Sequence, residues 1–511
     1  MTNRIVPSAT ATATAMAAAL LAGCAGVTHA PPPMPAVPTL AAAWQAPLPH
    51  GGTTIELARW WSMFNDPVLT DLQQAAQQAS PSLAAAKARV ERARAALTGA
   101  TALGLPVLDA VGSASAGRQV TGPSQGQATS RTASLGVQAG WELDLFGAVA
   151  AGQRAAQARL QGTQAGWHDA RVAVAAEVAS SYTALRACEA QLAQSRLDVA
   201  SRSETARLTE QSAQAGFTAP ADAALVRAGV AQTRSQMLVT QTQCEVLVKG
   251  LVEVTDLPEA DLRQRLAPRS AQVPNPAPLS VLTLPAALLA QRPDLAEAAR
   301  TVEAAAADQA QSQARERPRV SLSGSLAGGM LNLGGATYQG ATWSLGPLVV
   351  SFPLFDGGAS AAATRSARAG YDDAVAQYQA LVRRAVREVE TALVTLDTTA
   401  QRERDALAAA RGFEESLVAT QARQRGGLAS LLDLEVSRRN ALQAQSALID
   451  LQRERTAAWI ALYRAVGGGW DAANMGLTTT TTAPIAAPTT AIVTTLATPP
   501  AAVAVAAAGQ P

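Results

Sequence analysis

The sequence predicts a mainly α-helical chain with a small β part, built as two copies of one unit. Three observations predict it. Ala148 to Gln214 and Ala359 to Arg425 each run 67 residues without a proline. Gly/Ser-rich segments that alternate apolar and polar residues precede both stretches. Landmark residues also recur at one offset: Gly216/Gly427, Asp222/Asp433, Arg227/Arg438, Gln232/Gln443 and Glu177/Glu388 are each 211 apart. The proline breaks Pro106 and Pro318 are 212 apart and the Leu-Phe motifs at Leu145 and Leu354 are 209 apart, so one small insertion or deletion accounts for the drift.

The long stretches come first in the argument. At 1.5 Å per residue each makes a helix about 100 Å long. Val178, Leu185, Leu192 and Val199 are seven apart, and Trp167, Val174 and Cys188 form a second string interrupted by Ser181. Val375, Val382, Val389 and Leu396 repeat the spacing in the second copy, and Val230, Met237, Cys244 and Leu251 carry it on a returning helix. Such seams predict antiparallel coiled-coil hairpins turning at Gly216 and Gly427, although an ordinary soluble bundle has the same periodicity. The first repeat is placed at 59–268, with strands at 107–118 and 133–145 and long helices at 148–214 and 219–254. The second is placed at 283–468, with strands at 320–331 and 342–354 and long helices at 359–425 and 429–466. Each copy opens with a helical segment (67–103, 284–317) that ends at a proline.

The strands carry the physical problem. From Leu135 the odd positions are Leu, Val, Ala, Trp, Leu and Leu, and the even positions from Ser134 are Ser, Gly, Gln, Gly, Glu and Asp. Four two-faced strands cannot close a barrel, since one-chain membrane barrels start at about eight. Open edges aggregate in water and have no place in lipid. Three copies would supply twelve strands, with apolar faces to lipid and polar faces to a lumen that the helices extend. The predicted object is a tube.

The N-terminus carries Arg4, an Ala/Thr/Leu run and LLAGC from Leu20 to Cys24, the pattern of an export signal at 1–23. LAGC resembles the lipobox of bacterial lipoproteins, which implies lipidation of Cys24, and Ala25 after it implies outer-membrane sorting. Residues 24–58 form a proline-rich leader and 476–511 a low-complexity tail. After the signal no run of 18 apolar residues occurs, so no membrane-spanning helix is expected.

Composition excludes other classes. Lys and Arg number 41 against 39 Asp and Glu, with no charge block, so nucleic acid is not an expected partner. His29 and His50 lie in the leader, and His168 lies beside Trp167 on a long helix. No catalytic or metal-ligating constellation and no cofactor motif appears. GSLAGGMLNLGG near Gly324 lacks the lysine and following helix of a phosphate loop.

The chain resembles the TolC-like outer-membrane efflux proteins, in the lipoprotein branch of tripartite multidrug systems. The residues carrying the resemblance are LAGC, the stretch WWSMFNDPVLTDLQQAAQQASPSLAAAKARVERARA from Trp60, WELDLFG, the RPD of LAQRPDLAEAAR, PLFDGG and both glycine turns. Their order is more specific than any one of them. The resemblance implies a homotrimer, a twelve-stranded β-barrel in the outer membrane and a continuous α-barrel in the periplasm. It also implies a periplasmic adaptor, an inner-membrane pump of the RND type, and drugs or other small molecules as cargo. Protein secretion through a similar tube is the alternative, and a lipidated coiled-coil adaptor a more distant one.

The same resemblance assigns residues. Asp433 matches the gate aspartate, with Asp222 as its repeat counterpart, and Glu435 adjoins the second gate position; stabilising the dipole of a helix N-terminus is the competing role for both aspartates. The tyrosine and arginine positions of the family's tip network hold Gln424 and Ala429 here, and a second gate acid is replaced by Val436, so the network holding this gate must differ. Gly216, Phe217, Arg425, Gly427 and Leu428 belong to the turns expected to dock the adaptor. Trp141, Phe146 and Phe355 suit an aromatic belt where strand becomes helix. Cys188 and Cys244 lie equally far from Gly216 and on the seam, which fits a disulfide; two buried free thiols are the plainer reading.

Overall fold

The computed structural model describes residues 57–120, 127–276, 291–333 and 335–470; Cys24, the leader and the C-terminal tail lie outside them. A 3-10 turn over Leu57–Phe64 leads into α1, Pro67–Ala79, and α2, Pro81–Ala102. The sequence reading had one helical segment here. Pro81 breaks it, because Ser80 adopts an extended conformation and caps the next helix by accepting from Leu83 N. Strand β1, Val107–Val120, and β2, Gln127–Leu143, form the first hairpin. Then come α3, Ala148–Gln214, its returning partner α4, Pro220–Thr255, and the short α5, Glu259–Leu266. The second copy repeats the order: α6, Pro293–Arg315; β3, Arg319–Leu333; β4, Ala336–Ser351; α7, Ala359–Arg425; and α8, Leu431–Ala465. All four strands extend beyond their expected ends toward the hairpin loops, since backbone pairing continues past the last clearly alternating residue, whereas β2 and β4 stop at Leu143 and Ser351, short of the expected 145 and 354, where the chain turns into the helix junctions.

The sheet is antiparallel in the order β1-β2-β3-β4, so β2 and β3 join the two copies and β1 and β4 are its edges. The helices lie in the same order: α3 packs on α2 and α6, and α6 on α7. Register sorts the sheet into two faces. Ala110, Val137, Leu326 and Trp343 share one row, and Leu108, Ala139, Gly324 and Leu345 the next. On the other face Asp109, Gln138, Ser325 and Ser344 share a row, and hydroxyl pairs Ser113–Ser134 and Ser325–Ser344 meet at 2.8 Å. A bulge between Leu322 and Gly324 keeps Leu345 and Leu348 on the apolar face despite their odd spacing. That face is uncovered: Leu108, Leu135, Trp343 and Leu345 are each at least 71% exposed. The opposite face is mixed on β4, where Tyr338 and Val349 join the polar side.

The core lies midway along the shaft. Trp60 stacks on Tyr463 at 5.0 Å, and Trp61 meets the same ring edge-on at 4.6 Å, tying the start of the described chain to the end of α8. Tyr182 on α3 donates from its hydroxyl to Asp66 Oδ2 at 2.6 Å, while Asp66 Oδ1 caps α1 by accepting from Val68 N at 3.0 Å. Arg186, one turn on and fully buried, lies over the Tyr182 ring at 4.7 Å. Its Nη2 donates to Leu266 O at 2.7 Å and its Nη1 to Glu189 at 2.8 Å, so α5 is held against α3.

The RPD motif has a structural role. Arg292 donates to Asp294, to Glu388 on α7 at 2.9 Å, and to Ala465 O at the end of α8 at 2.9 Å. It therefore fastens the start of α6 to both helices of the second hairpin. Nearby, α3 and α6 approach closely at Gly162 and Gly166; a Cβ on Gly166 would lie 2.6 Å from Glu297 Oε2. Burial first, then the Asp294 carboxylate, pushes Asp169 above the ordinary carboxylate range, against Arg464 and Arg292. Burial and then Asp169 push Glu297 up likewise, against Arg89.

Two outcomes test this packing. Trp60→Ala should cost about 3–5 kcal/mol by leaving a cavity, and Tyr182→Phe about 1–2 kcal/mol by stranding one oxygen of Asp66, both measured by denaturant unfolding in detergent. The raised carboxyls penalise the folded state while charged, so stability should rise as pH falls through their folded values toward the ordinary carboxylate range. Asp169→Asn should flatten that rise; an unaltered pH profile would contradict it.

Candidate gate, docking turns and junctions

Both tips are built from the same local chemistry. At the first, Gly216 takes φ +81°, its N–H donates to Ala213 O at 3.0 Å, and Phe217 N donates to Ser212 O at 2.9 Å. At the second, Gly427 takes φ +72°, its N–H donates to Gln424 O at 3.0 Å, and Leu428 N donates to Arg423 O at 2.8 Å. The pairing of bonds is a Schellman end, and positive φ is the reason for glycine. The residue after the glycine usually packs back on its helix. Here Phe217 is 86% and Leu428 81% exposed, and Arg425 is exposed beside Leu428. An unpartnered apolar side chain therefore sits at the point of each hairpin.

Asp433 and Asp222 stand at the same place, the third residue of their helices, and both are exposed. Only Asp433 has a capping partner. Its Oδ2 accepts from Ser430 N at 3.0 Å and from Ser430 Oγ at 2.7 Å, and its own N–H donates to Ser430 Oγ at 3.1 Å. The Ser430 hydroxyl, then the Ser430 N–H, hold the Asp433 carboxyl below its ordinary value. In the first copy Ala219 replaces that serine and Pro220 opens the helix, so Asp222 lacks this box.

Glu435 is held differently. One oxygen pairs with Arg202 on α3 and the other with Arg438 on its own helix. Arg202 also holds Asp198 through Nε at 2.9 Å, and Arg438 reaches back to Ser201 Oγ at 2.8 Å and Thr205 Oγ1 at 3.3 Å. Asp198 and Arg438 are buried. This four-residue clasp joins the first hairpin to the second above the tips. Sequence reading singled out Glu435 and Arg438 separately and missed the clasp, because Arg202 lies 233 residues from Glu435.

The junctions depend on two aspartates that sequence reading also missed. Gly147 at φ +78° and Gly358 at φ +88° precede α3 and α7 in the left-handed region, with no side-chain cap of their own. Asp144 supplies the cap from three residues back, accepting from Val149 N at 3.1 Å and Ala150 N at 2.8 Å. Asp356 does the same for Gly358 N at 2.9 Å and Ser360 N at 2.8 Å, and accepts the Ser360 hydroxyl. The Ser360 hydroxyl first, then the N–H donors, push Asp356 down to about 2. The D-x-x-G and D-G-G spacings were the available signal. Of the belt aromatics, Trp141 donates from Nε1 to Gly104 O at 3.0 Å, and Phe355 is 92% exposed. Phe146 is half-buried and lines a cavity of ≈ 440 Å³ with Leu103 and Arg315.

No helix among the described residues is long and apolar enough to cross a membrane, and no group of three or more His, Cys, Asp or Glu among them is placed to hold a metal ion. Cys188 and Cys244 face each other across α3 and α4, with Cα atoms 5.6 Å apart and sulfurs in bonding contact, rather than as separate thiols.

The outer membrane efflux protein family model matches residues 72–254 and 284–468. Nodulation protein T of Rhizobium leguminosarum bv. trifolii is 28% identical over 458 residues, covering 88% of this chain and 96% of that protein. Outer membrane protein OprJ of Pseudomonas aeruginosa is 30% identical over 442 residues, covering 86% and 91%. The solved outer-membrane channel OprN superposes with a TM-score of 0.77 at 27% identity, over 88% of this chain and 99% of that one. With both copies matched, the chain belongs to the outer membrane efflux protein family, whose members are outer-membrane channels rather than enzymes.

Proposed function

We propose that the chain is the exit duct of a tripartite efflux system, working as a homotrimer that passively conducts small molecules such as drugs from an inner-membrane pump and a periplasmic adaptor to the outside. The observation that carries this reading is the open four-stranded sheet, apolar and exposed on one face and rich in serine on the other, whose strands run on into helices in the same lateral order. Edge β1 of one copy closing on edge β4 of the next would make a twelve-stranded barrel and satisfy both rows of backbone groups. The apolar face would then meet lipid, the serine face the lumen, and the junction residues Trp141, Phe146 and Phe355 the membrane boundary. The long helices would form the periplasmic shaft. Lipidation of Cys24 would add an anchor to the outer membrane. The family's efflux assignment and the relatives' near full-length coverage support the reading.

Within the duct, the tips are the gate and the docking surface. The Asp198–Arg202–Glu435–Arg438 clasp joins the two hairpins of one chain. Releasing it would free the second hairpin, which carries Asp433 at its point, to move outward. Phe217 and Leu428, with Arg425 beside the second turn, offer the adaptor two apolar contacts per chain on backbones shaped by Gly216 and Gly427.

Single-channel recording on reconstituted trimers tests the duct. Glu435→Gln, which unties both arginines, should raise conductance several-fold. Asp433→Ala should change conductance or cation block, whereas Ser430→Ala removes the cap alone and should not; identical behaviour of the two variants, or no change in either, would reduce Asp433 to a capping residue. Phe217→Ser and Leu428→Ser should leave trimers intact and cut drug resistance several-fold. Normal resistance in that double variant would remove the docking role.

A further inference from the structure

The pairing of Cys188 with Cys244 occurs on one hairpin only. Each lies 28 residues from Gly216 (216 − 188 and 244 − 216), so the two helices bring them to equal height. They are 7% and 6% exposed and sit in the same apolar cluster as Leu192 and Val248. Adding the repeat offset of 211 gives Thr399 on α7 and Arg455 on α8. Thr399 Oγ1 returns to its own helix at Thr395 O, 2.8 Å away, and Arg455 pairs across the hairpin with Glu403. Arg402 and Glu454 pair at 3.0 Å one residue away from that contact on each helix. At one height, therefore, the first hairpin has a sulfur pair and the second has two ion pairs.

We propose that Cys188–Cys244 is a structural disulfide of the mature chain, installed by a disulfide-bearing oxidant of the cell envelope while the first hairpin is still open, and that the second hairpin is deliberately left without a covalent tie. The inference rests on the periplasmic placement of the helices proposed above, where thiols are oxidised rather than kept reduced. The steps balance. One cysteine thiolate attacks the oxidant's disulfide, forming a mixed disulfide and expelling one oxidant thiol. The second cysteine thiolate then displaces the remaining oxidant sulfur, leaving the Cys188–Cys244 bond. Two protons and two electrons pass from the cysteine pair to the oxidant, which departs as a dithiol.

Burial sets the order of events. Neither sulfur is accessible once the core has closed, so oxidation precedes packing of the shaft. Three cysteines would allow three pairings, but the lipidation proposed for Cys24 would remove that thiol and leave a single one. An oxidant is then sufficient, and reshuffling is unnecessary. The bond closes a loop with a sequence separation of 56 that contains the whole first tip. Constraining such a loop in the unfolded chain is the ordinary route by which a disulfide stabilises. The second hairpin, which carries the gate residues, keeps exchangeable ion pairs at the matching height.

The test uses full-length trimers extracted from outer membranes. Alkylation in denaturant without reductant, followed by mass analysis, should leave Cys188 and Cys244 unlabelled, and reduction in the same denaturant should expose both. Growth with excess dithiothreitol, or in cells lacking a periplasmic thiol oxidant, should convert both to labelled thiols. Cys188→Ala, Cys244→Ala and the double variant should lower the unfolding midpoint by the same amount, because each removes the same bond. Label on both residues in denatured but unreduced outer-membrane protein overturns the bridge and leaves the duct reading standing, as do single-variant losses that add in the double variant. Recovery of the chain outside the outer membrane overturns the duct reading and the envelope oxidant together.

Discussion

The hydrogen bonds that β1 and β4 cannot make within one chain constrain everything else in this molecule. Each edge exposes a row of N–H and C=O groups, and the face between them is apolar and uncovered. In lipid an unpaired backbone group costs several kcal/mol, so the sheet can exist in a membrane only when its edges find each other in further copies. The central β2–β3 pairing joins the duplicated halves and sets the lateral order of the helices below, which repeat the order of the strands. Asp144 and Asp356, with Gly147 and Gly358, then turn strand into helix without leaving the first turns of α3 and α7 uncapped.

Helices of 67 residues define a direction well and a height poorly. Alanine-rich faces slide past one another at little cost, so the relative height of the two hairpins needs specific contacts. The middle of the shaft supplies them: Trp60 and Trp61 on Tyr463, Asp66 on Tyr182, Arg186 on Leu266 O and Arg292 on Ala465 O. Gly162 and Gly166 on α3 face Arg300 and Glu297 of α6. Near the tips the contacts change in kind. Ion pairs and hydroxyls replace aromatic packing in the Arg202–Glu435 clasp, and such polar contacts can exchange without opening a cavity.

Legibility in the sequence follows the range of the interaction. Both long helices were readable to the residue, since the Leu-Phe-Gly openings and the glycine turns are local signals. The strands were readable as two hairpins but short at their loop ends, because pairing outlasts the alternation that reveals it. Asp433 was picked out by its resemblance to a gate residue, yet its immediate partner is Ser430, a contact three residues away that S-x-x-D already spells. Glu435 stands beside a gate position in the sequence, while its partners, Arg202 and Arg438, lie one on another helix and one a turn further along its own.

The duplicated plan is legible in the sequence: two hairpins of long helices, two of strands, the turns between them, and the two-faced pattern of the strands. Those features depend on periodicity, glycine and proline, which act within a few residues of where they stand. Tertiary packing alone sets which helix lies beside which, that Arg202 meets Glu435, that Asp66 meets Tyr182, and that Cys188 and Cys244 touch. These are contacts between residues far apart in the chain, and their geometry depends on the height at which packed helices come to rest, which no local pattern encodes.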